Sequence, residues 1–199
     1  MKRTFSHWLP KYIIDRTTNI FYELLNPNNP WLNRHSINII KKLIKTEDIG
    51  IEFGSGRSTF WLGQRCKKLT SFENNKKWFT KVKNQIDQNS LNNIFLKLLI
   101  DEKNCIDEID SIDDCSIDFC LVDGPYRDTC TLEIIPKLKK NAFLIIDNVN
   151  RYIPNKSLTK GSIRSFDEKT KWKKVHEALK NSRCIWTSDG VSDTAIFFI

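Results

Sequence analysis

The residues best equipped for chemistry stand in one short run, Ile49-Gly50-Ile51-Glu52-Phe53-Gly54-Ser55-Gly56-Arg57-Ser58-Thr59. An apolar stretch delivers a chain of little side-chain bulk to the start of a helical pattern. Gly54 and Gly56 let the backbone turn sharply and approach a ligand closely. The free N–H groups that open the following helix can bind polar or anionic atoms. Glu73 follows Gly54 by nineteen residues and ends the next short apolar run. A carboxylate at that place can accept two hydrogen bonds from a ribose diol. The spacing is that of a nucleoside site.

Two nucleotide classes separate here. A dinucleotide fingerprint requires a third glycine where this chain has Thr59. Glu52 would also put a negative charge where a pyrophosphate must lie. A ligand with an ammonium group suits the acid better, and the methionine part of S-adenosylmethionine carries one. A second constellation lies further on. Asp123 ends the apolar stretch in LVDGPYR, and Asp147-Asn148 end the one in LIIDNV. If both runs are parallel strands, their carboxyl ends share the ligand-binding edge of the sheet. Two carboxylates and an amide oxygen form a hard-oxygen set suited to Mg²⁺. Such an ion would lower the pKa of an acceptor hydroxyl and make it nucleophilic. The bland alternative is that Asp147-Asn148 form a turn or helix cap.

The elements that must position these groups can be read from periodicity. Residues 13–25 and 31–45 have helical spacing and are separated by Asn26-Pro27-Asn28-Asn29-Pro30. Strands are expected at 49–53, 69–73, 94–98, 117–123 and 142–147, with helices at 58–66, 75–89 and 130–138 and a polar helix or loop at 107–115. A long loop at 148–165 leads to a helix at 168–180 and two strands, 183–187 and 194–199. Alternating strands and helices indicate parallel βαβ units. The last two strands have only Ser188-Asp189-Gly190 between them, so they must pair antiparallel. The expected architecture is α/β and Rossmann-like, a mostly parallel sheet closed by a C-terminal antiparallel hairpin. Residues 1–30 read as an N-terminal extension that could act as a lid, and residues 31–199 as the domain.

EFGSGRSTFWL with the acid at the end of the second strand resembles the cofactor motifs of class I S-adenosylmethionine-dependent methyltransferases. GSGRSTFWL together with VDGPYR is similar to a bacterial-type group of small methyltransferases within that superfamily. The resemblance spans roughly residues 30–199. It implies cofactor contact by Glu52, by the Gly54-Ser55-Gly56 backbone, by Glu73 and by Asp123, with Ser58 and Thr59 lining the start of the helix. The acidic set resembles the metal site of catechol O-methyltransferase and its caffeoyl-type relatives, which implies a divalent metal on Asp123, Asp147 and Asn148. Catechol-type enzymes have a basic lysine three residues after the first of these acids. This chain has Tyr126 there, followed by Arg127, which leaves Tyr126 and Asp123 as the candidate proton acceptors. The acceptor implied is a hydroxyl of a small molecule or sugar. A nucleic-acid methyltransferase is the alternative, disfavoured by the lack of an NPPY-type motif or a catalytic Cys-Pro pair. A non-catalytic cofactor-binding protein of the same fold is a third reading.

Composition bounds the rest. With 40% hydrophobic and 28% charged residues the 199-residue chain falls near globular averages. Six cysteines form no CxxC pair, and several lie in apolar runs, as expected of free thiols in a reducing compartment such as the cytoplasm. No stretch reaches the roughly 18–20 apolar residues that span a bilayer. Lys11, Asp15 and Arg16 interrupt the N-terminal apolar stretch and argue against a cleavable signal peptide. The net charge of +8 is spread among interleaved acids, which favours a solvated surface over a nucleic-acid interface. Among weaker candidates, Asp101 could sit near an adenine or in an exposed loop, and His35 could edge a substrate cleft. His7 and His176 are isolated, and the six tryptophans read as packing. The basic loop Arg151, Lys156, Lys160, Arg164 could cover an anionic substrate. The sequence sets no oligomeric state.

Overall fold

A computed structural model describes residues 10–199. Seven strands, β1 (Ile49–Phe53), β2 (Lys68–Glu73), β3 (Ile94–Leu98), β4 (Ile117–Val122), β5 (Leu138–Asp147), β6 (Arg183–Ser188) and β7 (Asp193–Phe198), form one sheet in the order β3-β2-β1-β4-β5-β7-β6. All neighbours are parallel except β7, which runs antiparallel to both β5 and β6. The expected parallel sheet with a closing hairpin is the observed one. Strand order reverses between β1 and β4, where the crossovers diverge and leave a crevice at the carboxyl ends.

Among the described residues seven α-helices accompany the strands: α1 (Pro10–Leu25), α2 (Arg34–Leu43), α3 (Arg57–Gly63), α4 (Lys76–Gln88), α5 (Glu102–Asp110), α6 (Arg127–Ile134) and α7 (Trp172–Leu179). The period-2 alternation of the strands sorts their side chains to two cores. Ile51, Phe53, Cys120 and Val122 point to one face, under Ile109 of α5, Ile134 of α6 and Val175 of α7. Phe119, Leu121 and Ile145 point to the other, under Ile37 and Ile40 of α2 and Trp61 and Leu62 of α3. Gly50 makes room for this packing, because a Cβ there would stand 2.1 Å from the Phe119 ring.

Several boundaries differ from the sequence reading, each for a local reason. Helix α2 begins at Arg34, not at 31, because Asn33 caps it: its Oδ1 accepts the Ser36 N–H at 3.0 Å. The Asn33 amide also donates to Thr194 Oγ1 at 2.9 Å and to Thr187 Oγ1 at 3.0 Å, which ties α2 to the hairpin. Helix α5 lies ahead of the expected 107–115 because Asp101 is its cap, accepting the Asn104 N–H at 2.8 Å. Helix α6 starts at Arg127, after Tyr126 in the left-handed region (φ 51), and gives way to a 3₁₀ turn, Ile135–Lys137, at Pro136. The expected long loop after β5 is held together from within. The Asn155 amide donates to the carbonyls of Asn150 (2.9 Å) and Ile153 (2.7 Å), and Arg164 donates to those of Asn155 and Ser157.

Helix α1 is turned inside out. Ile14, Phe21, Leu24 and Leu25 face solvent, 61–81% exposed, while Asn19 is the residue it buries. Tyr12 lies under the Lys160 ammonium, 4.9 Å from its ring centroid, and Asp15 sits against Gly190 in the hairpin turn. Residues 1–9, which include His7, Trp8 and the first part of the expected extension, lie outside the described residues. No described helix is long and apolar enough to cross a membrane.

Candidate active site

The glycine corner is braced from below by Glu52. Its Oε2 accepts the hydroxyls of Thr59 and Ser71, each at 2.6 Å, and the Thr59 hydroxyl in turn accepts the Gly56 N–H at 2.9 Å. Glu52 is fully buried between β1 and α3, and its Oε1 has no hydrogen-bond partner among the described residues. Burial pushes its carboxyl up to about 7, against the pull of the Ser58, Ser71 and Thr59 hydroxyls. Gly54 has φ +97, and a Cβ on it would lie 2.7 Å from the Gly124 nitrogen. A Cβ on Gly124 would meet the Gly54 nitrogen at the same distance. Here two strand-end turns touch backbone to backbone.

Glu73 holds the corner from the side. Its Oε2 accepts the Ser55 N–H at 3.1 Å and the Ser55 hydroxyl at 2.9 Å, and its Oε1 accepts the Asn75 N–H at 2.8 Å. Trp78 of α4 donates its indole N–H to the Ser55 carbonyl at 2.7 Å. Both polar groups of the Ser55 backbone are thus engaged, and the loop is fixed before any ligand arrives.

A cavity of about 280 Å³ opens above this corner at the ends of β1, β2 and β4. Its lining includes Gly54, Ser55, Gly56, Ser58, Glu73 and Asp123, all singled out from sequence. It also includes Trp31, Leu32, Arg57, Asn74, Gly124 and Pro125, to which the sequence reading gave no site role. The Arg57 guanidinium lies over the Trp31 ring, 4.9 Å from its centroid. Pro30 just before Trp31, and Arg57 directly after the glycines, were the available signals. A second, larger groove of about 540 Å³ shares Trp31, Gly56 and Arg57 with the first and adds Trp78 and Lys81.

Three expectations meet a different arrangement. Glu52 and Thr59 do not line the cavity; they lie beneath its wall as a brace. Tyr126 is absent from the lining too, its ring packed on the core beneath α5, α6 and α7. The metal set does not assemble either. Asp123 Oδ1 accepts Arg127 Nη2 at 2.6 Å. Asp147, 3% exposed, has its Oδ1 engaged by Thr194 Oγ1 at 2.7 Å and its Oδ2 by Asn148 Nδ2 at 2.6 Å. Asn148, left-handed at φ 55, directs its amide N–H at Asp147 and at Ser192. A divalent ion needs several free oxygens converging on one point; here both Asp147 carboxylate oxygens and Asp123 Oδ1 are spent on protein donors, which leaves only Asp123 Oδ2 and the Asn148 amide oxygen. Among the described residues no group of three His, Cys, Asp or Glu side chains is placed to hold a metal. Burial pushes the Asp147 carboxyl up to about 7, helped by the Asp123 charge and opposed by Thr194 and Arg127. Asp123 is raised by burial as well, with Arg127 pulling it back.

His35 and His176 are exposed, and Asp101 serves as the α5 cap.

No protein-family model matches the chain, nor does any curated protein sequence. Solved structures do match in three dimensions. A caffeoyl-CoA O-methyltransferase candidate from Staphylococcus aureus superposes with a TM-score of 0.61 at 18% identity, covering 94% of this chain and 97% of that one. An rRNA methylase from Streptococcus thermophilus gives 0.57 at 12% identity, covering 82% and 93%. A candidate methyltransferase from Streptococcus mutans, solved in complex with SAH, gives 0.57 at 13% identity over 81% and 93%. Likeness at this level of identity establishes architecture. The chain has the class I methyltransferase fold.

Proposed function

We propose that the protein is an S-adenosylmethionine-dependent methyltransferase that methylates a hydroxyl of a small molecule or sugar without a metal ion. The observation that carries this reading is the convergence of the glycine corner, Glu73 and Asp123 on one cavity at the sheet's reversal point. When bound, S-adenosylmethionine supplies a methyl group on a cationic sulfur. Glu73 has lone pairs left over from Ser55 and Asn75 to accept a ribose hydroxyl. Arg57, at the rim beside Trp31, is suited to the carboxylate of the methionine part. Asp123 at the wall presents a carboxylate on the side where a cationic ligand would lie.

Asp123 Oδ1 is tied to Arg127, while Oδ2 has no protein partner among the described residues. An acceptor hydroxyl donating to Oδ2 is oriented with its oxygen toward the methyl group. With the donor bound, that oxygen would take the methyl group, the electron pair of the broken C–S bond would stay on sulfur, and Asp123 Oδ2 would receive the proton. The chain's contribution is chiefly alignment of the reacting atoms.

The test is calorimetric titration with S-adenosylhomocysteine (SAH). The wild-type protein is expected to bind it, and Glu73→Ala to bind at least tenfold more weakly with its fold intact. No binding by wild type, or equal binding by the variant, refutes the reading. The larger groove favours a second acceptor class, nucleic acid. Trp31 and Trp78 stack with centroids 6.4 Å apart, with Arg57 and Lys81 against their faces, a combination that suits unpaired bases and phosphates. RNA binding that weakens steeply between 50 and 200 mM salt would select it.

A further inference from the structure

We infer that Arg127 is the resident cation of this site, its guanidinium standing between the ends of β4 and β5 where a divalent ion would bridge Asp123 and Asp147. The inference rests on the methyltransferase reading for its chemistry, but its evidence is geometric. The guanidinium makes four hydrogen bonds at once. Nε donates to the Gly124 carbonyl at 3.0 Å, Nη1 to the Asp147 carbonyl at 2.5 Å, and Nη2 to both the carbonyl (2.9 Å) and Oδ1 (2.6 Å) of Asp123. One of its faces lies over Tyr152, 5.5 Å from the ring centroid. The Arg127 side chain is only 15% exposed. A planar fork of five donors can satisfy such a set, whereas the point charge of a lysine cannot.

The backbone around it is built to bring this fork into place. Arg127 opens α6 directly after Tyr126, and Asn148 follows Asp147. Both Tyr126 and Asn148 are non-glycine residues held at positive φ, 51 and 55. Such a conformation persists where surrounding contacts over-determine it, and the guanidinium spans the two turns. It also supplies a counter-charge to two carboxylates in a poorly solvated place, the service a metal ion would otherwise perform. Arg127 is therefore a positioning residue: it fixes Asp123 so that Oδ2 is left for the acceptor, and it fills the metal's seat.

Binding of Mn²⁺, followed by the electron paramagnetic resonance of the free ion, tests this on the intact protein with no substrate needed. Wild type is expected to take up no Mn²⁺ below millimolar concentration, and its SAH affinity to stay within twofold on adding EDTA or Mg²⁺. Arg127→Met, which keeps the apolar stem and removes the charge, is expected to bind Mn²⁺ at least tenfold more tightly than wild type. Adding Asp147→Asn to that variant should abolish the gain. Micromolar Mn²⁺ binding by wild type, or a folded Arg127→Met variant that gains none, overturns the inference. Should the variant fail to fold, the wild-type titration still decides. Tight Mn²⁺ binding alongside normal SAH binding would sink only this inference, whereas absence of SAH binding would sink the methyltransferase reading.

Discussion

Glu52 offers the sharpest link between burial and a measurable curve. It has no solvent contact, and its Oε2 accepts the hydroxyls of Thr59 and Ser71. Burial therefore holds its carboxyl near 7, against an ordinary value of 4.5. In the unfolded chain the same group loses its proton at the ordinary value. Between the two, the folded state holds a proton that the unfolded state has released, so raising the pH favours unfolding. The penalty is absent below about pH 4.5, grows through the interval and is complete above about 7. At about 1.4 kcal/mol for each tenfold difference in proton affinity, it amounts to about 3 kcal/mol at full extent. From pH 5 to 8 the loss is about 2–3 kcal/mol, a large share of a typical domain's stability. Glu52→Gln keeps an oxygen for Thr59 and Ser71 but cannot ionise. Its new amide N–H₂ carries a constant penalty if it finds no partner, so the slope is what matters. Urea unfolding of both proteins at steps from pH 5 to 8 should show wild type losing about 2–3 kcal/mol relative to the variant. Parallel curves, offset by a constant, would mean that Glu52 is ionised throughout, and the buried brace would be wrong.

Gly54→Ala should destabilise by about 3 kcal/mol, from the positive φ and the clash with Gly124, lowering the melting temperature by roughly 6–12 °C; a change under 2 °C would contradict the backbone contact. Of the six cysteines, Cys115 and Cys184 are exposed and Cys66, Cys105, Cys120 and Cys130 are buried. A thiol reagent at pH 8 should label Cys115 in the folded protein, with Cys184 slower because, although the residue reaches solvent, partial desolvation pushes its thiol up to about 11. Rapid labelling of all six would refute the packing around Cys105 and Cys130. Replacing Phe21 and Leu24 by Ser should leave stability within about 1 kcal/mol, since both face solvent. A large loss in thermal melts would show that α1 packs through the opposite face.

The glycine corner, Glu73 and the terminal hairpin were legible because each is a local pattern: an apolar run, a turn residue, and a fixed offset. The same locality misled the reading of Glu52. Its charge suggested a cationic ligand, but its fate depends on α3 lying across it and on Thr59, seven residues on and across the glycine corner, meeting its oxygen. Arg127 was noted only as the residue after Tyr126, which stands where catechol-type enzymes have a lysine. Nothing in VDGPYR reveals that Tyr126 takes a left-handed conformation, and that single dihedral decides where the next side chain reaches. The 130–138 helix was misplaced for the same reason, with Pro136 cutting its far end. In α1 the hydrophobic stripe is visible in the sequence, but a stripe says only that two faces differ. Which face meets the protein shows only in three dimensions, where Asn19 is buried, Asp15 abuts the Gly190 turn and Tyr12 lies under the Lys160 ammonium.

The mutual contact of Gly54 and Gly124 divides the pocket into parts with different freedom to change. Where main chain abuts main chain, no side chain can be enlarged or exchanged without separating β1 from β4. Recognition of a new acceptor must then be rewritten at the mouth, through Trp31, Leu32 and Pro125. Directed variation aimed at altering substrate choice should be concentrated there, leaving the floor untouched.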